Sequence, residues 1–279
     1  MKSLLIWFFQ GLNQKIQTPG QYGSYHFAWV FATAAIALSL IFFFSRTSEI
    51  GARAIIALFW ITLLIMEILK QLFCSIIISG DNVSFIYNFS IFPYQFCATP
   101  LYVLPMAAFM RRGHKRDTAI VFLSTFAIIG GIAILVAPSS VFTDNAFINF
   151  QSMLHHSAQI FLGLYFASRY RHLLTYRNFS RAAIAFLFMC YLAVMINIMF
   201  YKIFSILNID QSFNMFFLSP YDRYIPPILA GVGLEKAPYI LILLGYIFLL
   251  TLAAFLLMRV EIFFIRKTNH EKNKDLVYN

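Results

Sequence analysis

Apolar residues run along this chain in seven long stretches, residues 25–45, 54–78, 93–110, 118–137, 147–168, 182–204 and 238–258, with short polar joints between them. Each approaches or exceeds the roughly 20 residues a helix needs to cross the hydrocarbon of a bilayer. A membrane barrel would instead show short segments of alternating polarity. The pattern predicts an all-α polytopic membrane bundle of seven transmembrane helices. Residues 1–24 open with MKSLLIWFF, an apolar run too short to cross and followed by no small-residue cleavage site; they are expected to lie on the membrane surface. Residues 25–265 form the transmembrane domain, and the charged tail 266–279 is expected to be disordered.

Composition agrees with the pattern. Of 279 residues, 61% are apolar and only 11% charged, where a soluble domain has about a quarter charged. The net charge of +10 raises nucleic acid as a partner, but the position of the charges excludes it. Arg46 and Arg53 join the first two stretches; Arg111, Arg112, Lys115 and Arg116 follow the third; Arg169, Arg171, Arg177 and Arg181 follow the fifth; Arg259, Arg266, Lys267, Lys272 and Lys274 follow the last. Residues 80–92 and 138–146 contain no Lys or Arg. Basic loops stay in the cytoplasm, so this asymmetry predicts an outside N-terminus and a cytoplasmic C-terminus. A multi-pass protein of the cell membrane, a bacterial inner or plasma membrane, is expected, with basic patches facing anionic lipid.

With the topology set, the polar residues inside the spans acquire depths. The stretch NFQSMLHHSAQIFLGLY, residues 149–165, places His155 and His156 within a segment otherwise fit for lipid or a packed bundle. Ionisable groups at such depth mark a site or a pathway. His26 begins the first span, Glu67 and Lys70 share a face of the second, Cys97 falls about one turn into the third, and Asn197 lies in the sixth. All fall in the outer half. A thiol near a helix N-terminus favours thiolate, and Cys with His is the minimal set for acyl transfer. Lys70 or Asn197 would stabilise an oxyanion, and Glu67 would orient a histidine. Adjacent helical residues diverge by about 100°, so one histidine faces the cavity while the other packs.

Several alternatives stand beside this one. Cys97 is otherwise a small buried residue, Glu67 and Lys70 an internal ion pair, and Asn197 a helix-to-helix hydrogen bond. The same side chains would serve a non-enzymatic carrier or receptor for a small molecule or lipid. His26 with a histidine at 155 or 156 would ligate a haem, and a purely structural role needs none of them. There is no glycine-rich phosphate loop, no acidic metal motif and no Cys-x-x-Cys, so no cofactor and no metal are expected. Cys74 and Cys97 allow a disulfide, and Cys190 is placed toward the cytoplasm, away from the site. The span 238–258 has no lysine for a retinal Schiff base. Gly130-Gly131 predicts a close helix approach, and residues 205–237, rich in Pro, Gly and Tyr, a cap over the outer opening. Nothing in the sequence speaks to oligomeric state.

Tyr25-His26, Glu67-Ile68, Pro93 to Cys97, a small polar residue then histidine in the fifth span, and Asn197 before an aromatic-rich run together resemble the YwaF-type bacterial membrane proteins. The resemblance covers nearly the whole chain through single residues at matching depths. Gln95 departs from it where many members carry histidine, as does the doubling of the histidine at 155 and 156. A vertebrate relative in that family is understood as a lipid acyltransferase with a Cys/His pair, in a fold related to serpentine intramembrane lipid hydrolases. The resemblance implies Cys97 as nucleophile and His156, or His155 one register away, as base, with membrane lipid or another acyl-chain compound as substrate.

Overall fold

A computed structural model describes residues 2–80, 82–209, 212–222 and 237–277, with side chains described from residue 3 to 264. Helix α1 is Lys2–Leu12 and α2 Ser24–Ser39, which continues through a wider turn, Leu40–Phe44. Then come α3 (Glu49–Phe73), a hairpin of β1 (Ile76–Ser79) and β2 (Asn82–Phe85), and α4 (Thr99–Phe109). A third long rod is built from α5 (His114–Phe122), a wide turn Leu123–Ala127 and α6 (Ile128–Val136). Helices α7 (Ala146–Arg169), α8 (Tyr176–Leu207) and α9 (Tyr239–Val277) complete the chain.

Five of these rods, Ser24–Phe44, Glu49–Phe73, His114–Val136, Tyr176–Leu207 and Tyr239–Phe264, are long and apolar enough to cross a membrane. Their packing is uneven. The rod His114–Val136 is mostly buried, while the other four leave most of their apolar surface uncovered. Phe31, Ile184, Phe188 and Phe248 are exposed, which suits a surface wetted by lipid and would aggregate in water. Helix α7, too polar to count among the five, is the other central rod: its residues from Ser157 to Gly163 are all buried.

Glycine draws the two central rods together. A Cβ on Gly131 would stand 2.5 Å from the His156 carbonyl oxygen, and one on Gly163 would stand 2.2 Å from Ile128 Cγ1. Neither would fit at the present spacing. The close approach expected of Gly130-Gly131 is thus made against the histidine-bearing helix.

The helix of the second stretch stops at Phe73 instead of continuing to residue 78. The run Ile76-Ile77-Ile78 is β-branched and is followed by Gly80 at φ 58°, so it pairs back as a hairpin in which Ile76 faces Phe85 and Ser79 faces Asn82. The third stretch is also interrupted. Residues 86–98 are irregular apart from two single 3₁₀ turns, and α4 begins at Thr99 with Pro100 in its first turn, where proline is best tolerated, and carries Pro105 inside. Two bonds register α4 against α3: Trp60 Nε1 donates to the Leu101 carbonyl at 3.0 Å and Arg53 Nη1 to that of Ala108 at 3.1 Å. Since Trp60 is near the middle of α3, α4 starts halfway along the bundle, and its 11 residues reach only about 16 Å.

At the N-terminus, α1 leaves Trp7 exposed, and residues 14–16 join the start of α7 through Ala146 N to the Gln14 carbonyl and Ile16 N to that of Asp144. At the far end, helix α9 is Tyr239–Val277, and residues 266–277 contain no Pro or Gly.

Candidate functional site

Because α4 begins halfway along the bundle, Cys97 lies at its N-terminal edge inside the molecule and not near the outer surface. Cys97 is half-buried, and the backbone amides of Cys97 and Ala98 face its sulfur. All three cysteines are free thiols, so the disulfide between Cys74 and Cys97 is not formed. Cys190 is not offset toward the other end as expected. Its neighbour Met189 accepts a hydrogen bond from Tyr94 Oη at 3.3 Å, which puts it level with the Cys97 segment.

Helix α7 addresses Cys97 through its backbone. His155 Nε2 and Gln159 Nε2 both lie 2.9 Å from the Cys97 carbonyl oxygen. A carbonyl only accepts, so Nε2 of His155 carries the proton and Nδ1 carries a lone pair. That Nδ1 is buried with no partner, and so is Gln159 Oε1. His156 turns back on its own helix, with Nδ1 2.7 Å from the Ser152 carbonyl; by the same logic its Nε2 is a lone pair. The two rings stand 6.1 Å apart between centroids. It is therefore His155 that meets Cys97, through the carbonyl and not the sulfur.

Glu67 and Lys70 flank this place and pair with each other, Nζ to Oε2 at 2.8 Å. Gln71 Nε2 donates to Glu67 Oε1 at 2.6 Å, and Gln151 Nε2 to Oε2 at 3.3 Å. Gln71 Nε2 also lies 2.7 Å from the Ile91 carbonyl, and Tyr87 Oη donates to Gln71 Oε1. This network fastens the descending segment 86–98 to α3 and α7. The Lys70 ammonium and the Glu67 carboxylate both act on the Cys97 sulfur, in opposite directions, and Lys70 acts on both imidazoles.

Two expected members are elsewhere. His26 spends both nitrogens on structure: Nδ1 accepts from the Tyr22 amide at 3.1 Å, and Nε2 donates to the Leu135 carbonyl at 2.7 Å. With both nitrogens committed, it offers no ligand to a haem. Among the described residues no group of three metal-ligating side chains converges. Asn197 is fully buried and pairs with the backbone of Met215, Nδ2 to the carbonyl at 3.0 Å and Oδ1 from the amide at 2.7 Å.

Beside Asn197, Gln95 grips the same turn: Nε2 donates to the Asn214 carbonyl and Oε1 accepts from the Phe216 amide. These clips hold Phe216 in the left-handed region, φ 57°, with its ring against Phe96 beside Cys97. Of the expected cap, residues 205–207 belong to α8, and residues 212–222 are seated on the segment leading to Cys97. Residues 210–211 and 223–236 of that expected cap lie outside the described residues.

Comparison with protein-family models, curated proteins and solved structures finds no match to this chain.

Sequence reasoning missed Gln151, which was legible at i, i+4, i+8 with His155 and Gln159 on one helical face; Gln159 and Ser152 were expected beside the histidines at helical spacing. It also missed Gln71 as a ligand of Glu67, four residues on, and Gln95 as a clip, which no local pattern announces.

Proposed function

We propose that this protein is a cell-membrane enzyme of the bacterial inner or plasma membrane that transfers acyl groups between lipids, with Cys97 as the acyl carrier. The observation that carries the proposal is the forced lone pair on His155 Nδ1, buried without a partner, on a ring fixed to the Cys97 carbonyl. An imidazole so placed keeps one nitrogen free to accept a proton, and Cys97, whose carbonyl the ring binds, carries its thiol at the start of a helix.

Seven crossings, outside N-terminus and cytoplasmic C-terminus are part of the proposal. They are supported by five long apolar helices, by α7, by residues 86–109 completing one crossing as coil and then helix, and by the crowding of Lys and Arg at one end.

In the first half-reaction the Cys97 proton passes to the imidazole and the thiolate attacks the carbonyl carbon of a lipid ester. The carbon–oxygen bond breaks, and the departing alcohol takes the proton back. A thioester remains. In the second half, an acceptor hydroxyl gives its proton to the imidazole, its oxygen attacks the thioester carbon, the carbon–sulfur bond breaks, and the imidazolium passes that proton to the departing sulfur, restoring the thiol and the neutral ring. Lys70 and the amides of Cys97 and Ala98 supply positive charge near the developing oxyanion.

The purified protein, incubated with an alkyne-tagged acyl thioester, is expected to acquire a hydroxylamine-sensitive label that Cys97→Ala abolishes. Absence of label on the wild type, or equal label on Cys97→Ala, overturns the proposal. One observation favours a second possibility, a non-enzymatic lipid carrier: the imidazole bonds to the Cys97 carbonyl and not to its sulfur. A carrier would bind acyl lipid equally well after Cys97→Ser and would never form the label.

A further inference from the structure

At the end of the bundle opposite the hairpin, one carboxylate meets three guanidinium groups. Arg116 Nη2 lies 2.5 Å and Arg53 Nε 3.3 Å from Glu49 Oε1, and Arg169 Nη2 lies 3.7 Å from Oε2. Formal charge in this cluster is three positive against one negative. Helix ends take up some of the donors. Arg116 Nε donates to the Ala107 carbonyl at 2.9 Å and Arg53 Nη1 to that of Ala108, both in the last turn of α4, while Arg169 Nη1 donates to Ser45 at 2.7 Å. Tyr170 lies between, its ring centroid 5.2 Å from the Arg116 guanidinium and 5.4 Å from that of Arg169.

After these bonds, and that from Arg116 Nη2 to Tyr170 Oη at 3.0 Å, are counted, a buried donor is left over. Arg169 Nε is buried with no partner, on a side chain only 9% exposed. A buried guanidinium donor left unmet is costly, and a planar fork of such donors suits phosphate geometry. The surroundings indicate where the phosphate comes from. Phe43, Phe44, Ile50 and Phe109 are all exposed around the cluster, an apolar border that acyl chains cover and water does not.

We propose that Arg53, Arg116 and Arg169 form a binding site for a phosphate group, that of an anionic phospholipid headgroup or free phosphate, with Glu49 holding the three guanidiniums in place. The site is separate from Cys97 and does not depend on acyl transfer. Thermal unfolding of the full chain, delipidated in neutral detergent, is followed with added phosphatidylglycerol, with diacylglycerol and with inorganic phosphate. Stabilisation by phosphatidylglycerol and not by diacylglycerol is expected. A matching shift with inorganic phosphate identifies the free ion as the source and still supports the site; no shift with it identifies the lipid.

Arg169→Gln is expected to weaken phosphatidylglycerol binding about tenfold or more. Arg53→Gln, on the more open rim, repeats the test if the first variant does not fold. Arg111→Gln, in the exposed basic loop, is the control and is expected to bind as wild type. Equal effects of phosphatidylglycerol and diacylglycerol, or an Arg111→Gln loss as large as that of Arg53→Gln, overturn the proposal.

Discussion

The Glu49 cluster and the Cys97 cluster use similar side chains, a carboxylate, cations and neutral hydrogen-bonding groups, yet they fail to balance in opposite directions. Around Glu49 there is a surplus of positive charge and of donors. Around Cys97 the unmet groups are acceptors, His155 Nδ1 and Gln159 Oε1, while the charges of Glu67 and Lys70 offset each other. The sign of the surplus indicates what each place is suited to receive: an anion at the first, and a proton or a hydroxyl donor at the second. A bundle held together by structure alone would leave neither surplus, because each unmet buried group costs stability.

The largest effect that would break this comparison is expected at Arg116. Arg116→Ala strips Glu49 of its nearest partner and α4 of a carbonyl cap, and should cost about 3 kcal/mol, read as a fall in unfolding temperature in detergent. If Arg116→Ala were neutral, the Glu49 cluster would not be the fastening that its geometry describes. Next comes the seam between the central rods. Gly131→Ala sets a Cβ against the His156 carbonyl at 2.5 Å, so the helices must separate, at about 1–3 kcal/mol, and Cys97 labelling should fall with stability.

At the Cys97 cluster the balance shifts from stability to chemistry. His155→Phe keeps the ring and removes the lone pair; Cys97 acylation is expected to slow at least about a hundredfold, while unfolding temperature changes little, since Gln159 still bonds the Cys97 carbonyl. His156→Phe should slow acylation less, and the reverse order would reassign the base. The smallest effect belongs to the surface tether of Lys15 and Asp144, paired at 2.6 Å. The hydrogen bond from Lys15 holds the Asp144 carboxyl below its ordinary range. A depressed carboxylate contributes its stabilisation above the unfolded value, near pH 4, and loses it as pH falls through the folded value. Proteolysis of residues 1–20 should therefore accelerate only in acid, and Lys15→Ala should remove that dependence.

Much of this architecture was legible from residue order. The polar residues within apolar stretches pointed to Glu67, Lys70, Cys97 and the two histidines; of these, His155 is bonded to the Cys97 carbonyl, Glu67 and Lys70 pair with each other, and His156 turns back on its own helix. The stretch 93–110, read as one span, proved to be an irregular descent followed by a half-length helix. Pro100 carries that signal, although its weight emerges only when Trp60 and Arg53 fix the register of α4. His26 and Asn197 looked like members of the same group because depth along a helix was known and direction around it was not. Each turned out to fasten backbone, at Leu135 and at Met215.

Residue order by itself determined that this chain is helical, apolar and divided into basic and non-basic ends, because those properties depend on local composition and period. Only the tertiary structure decided which lone pairs and which guanidinium donors go unmet. A hydrogen bond depends on ångström-scale placement of atoms from different helices, such as His155 against the carbonyl of Cys97, and sequence spacing carries no information about that distance.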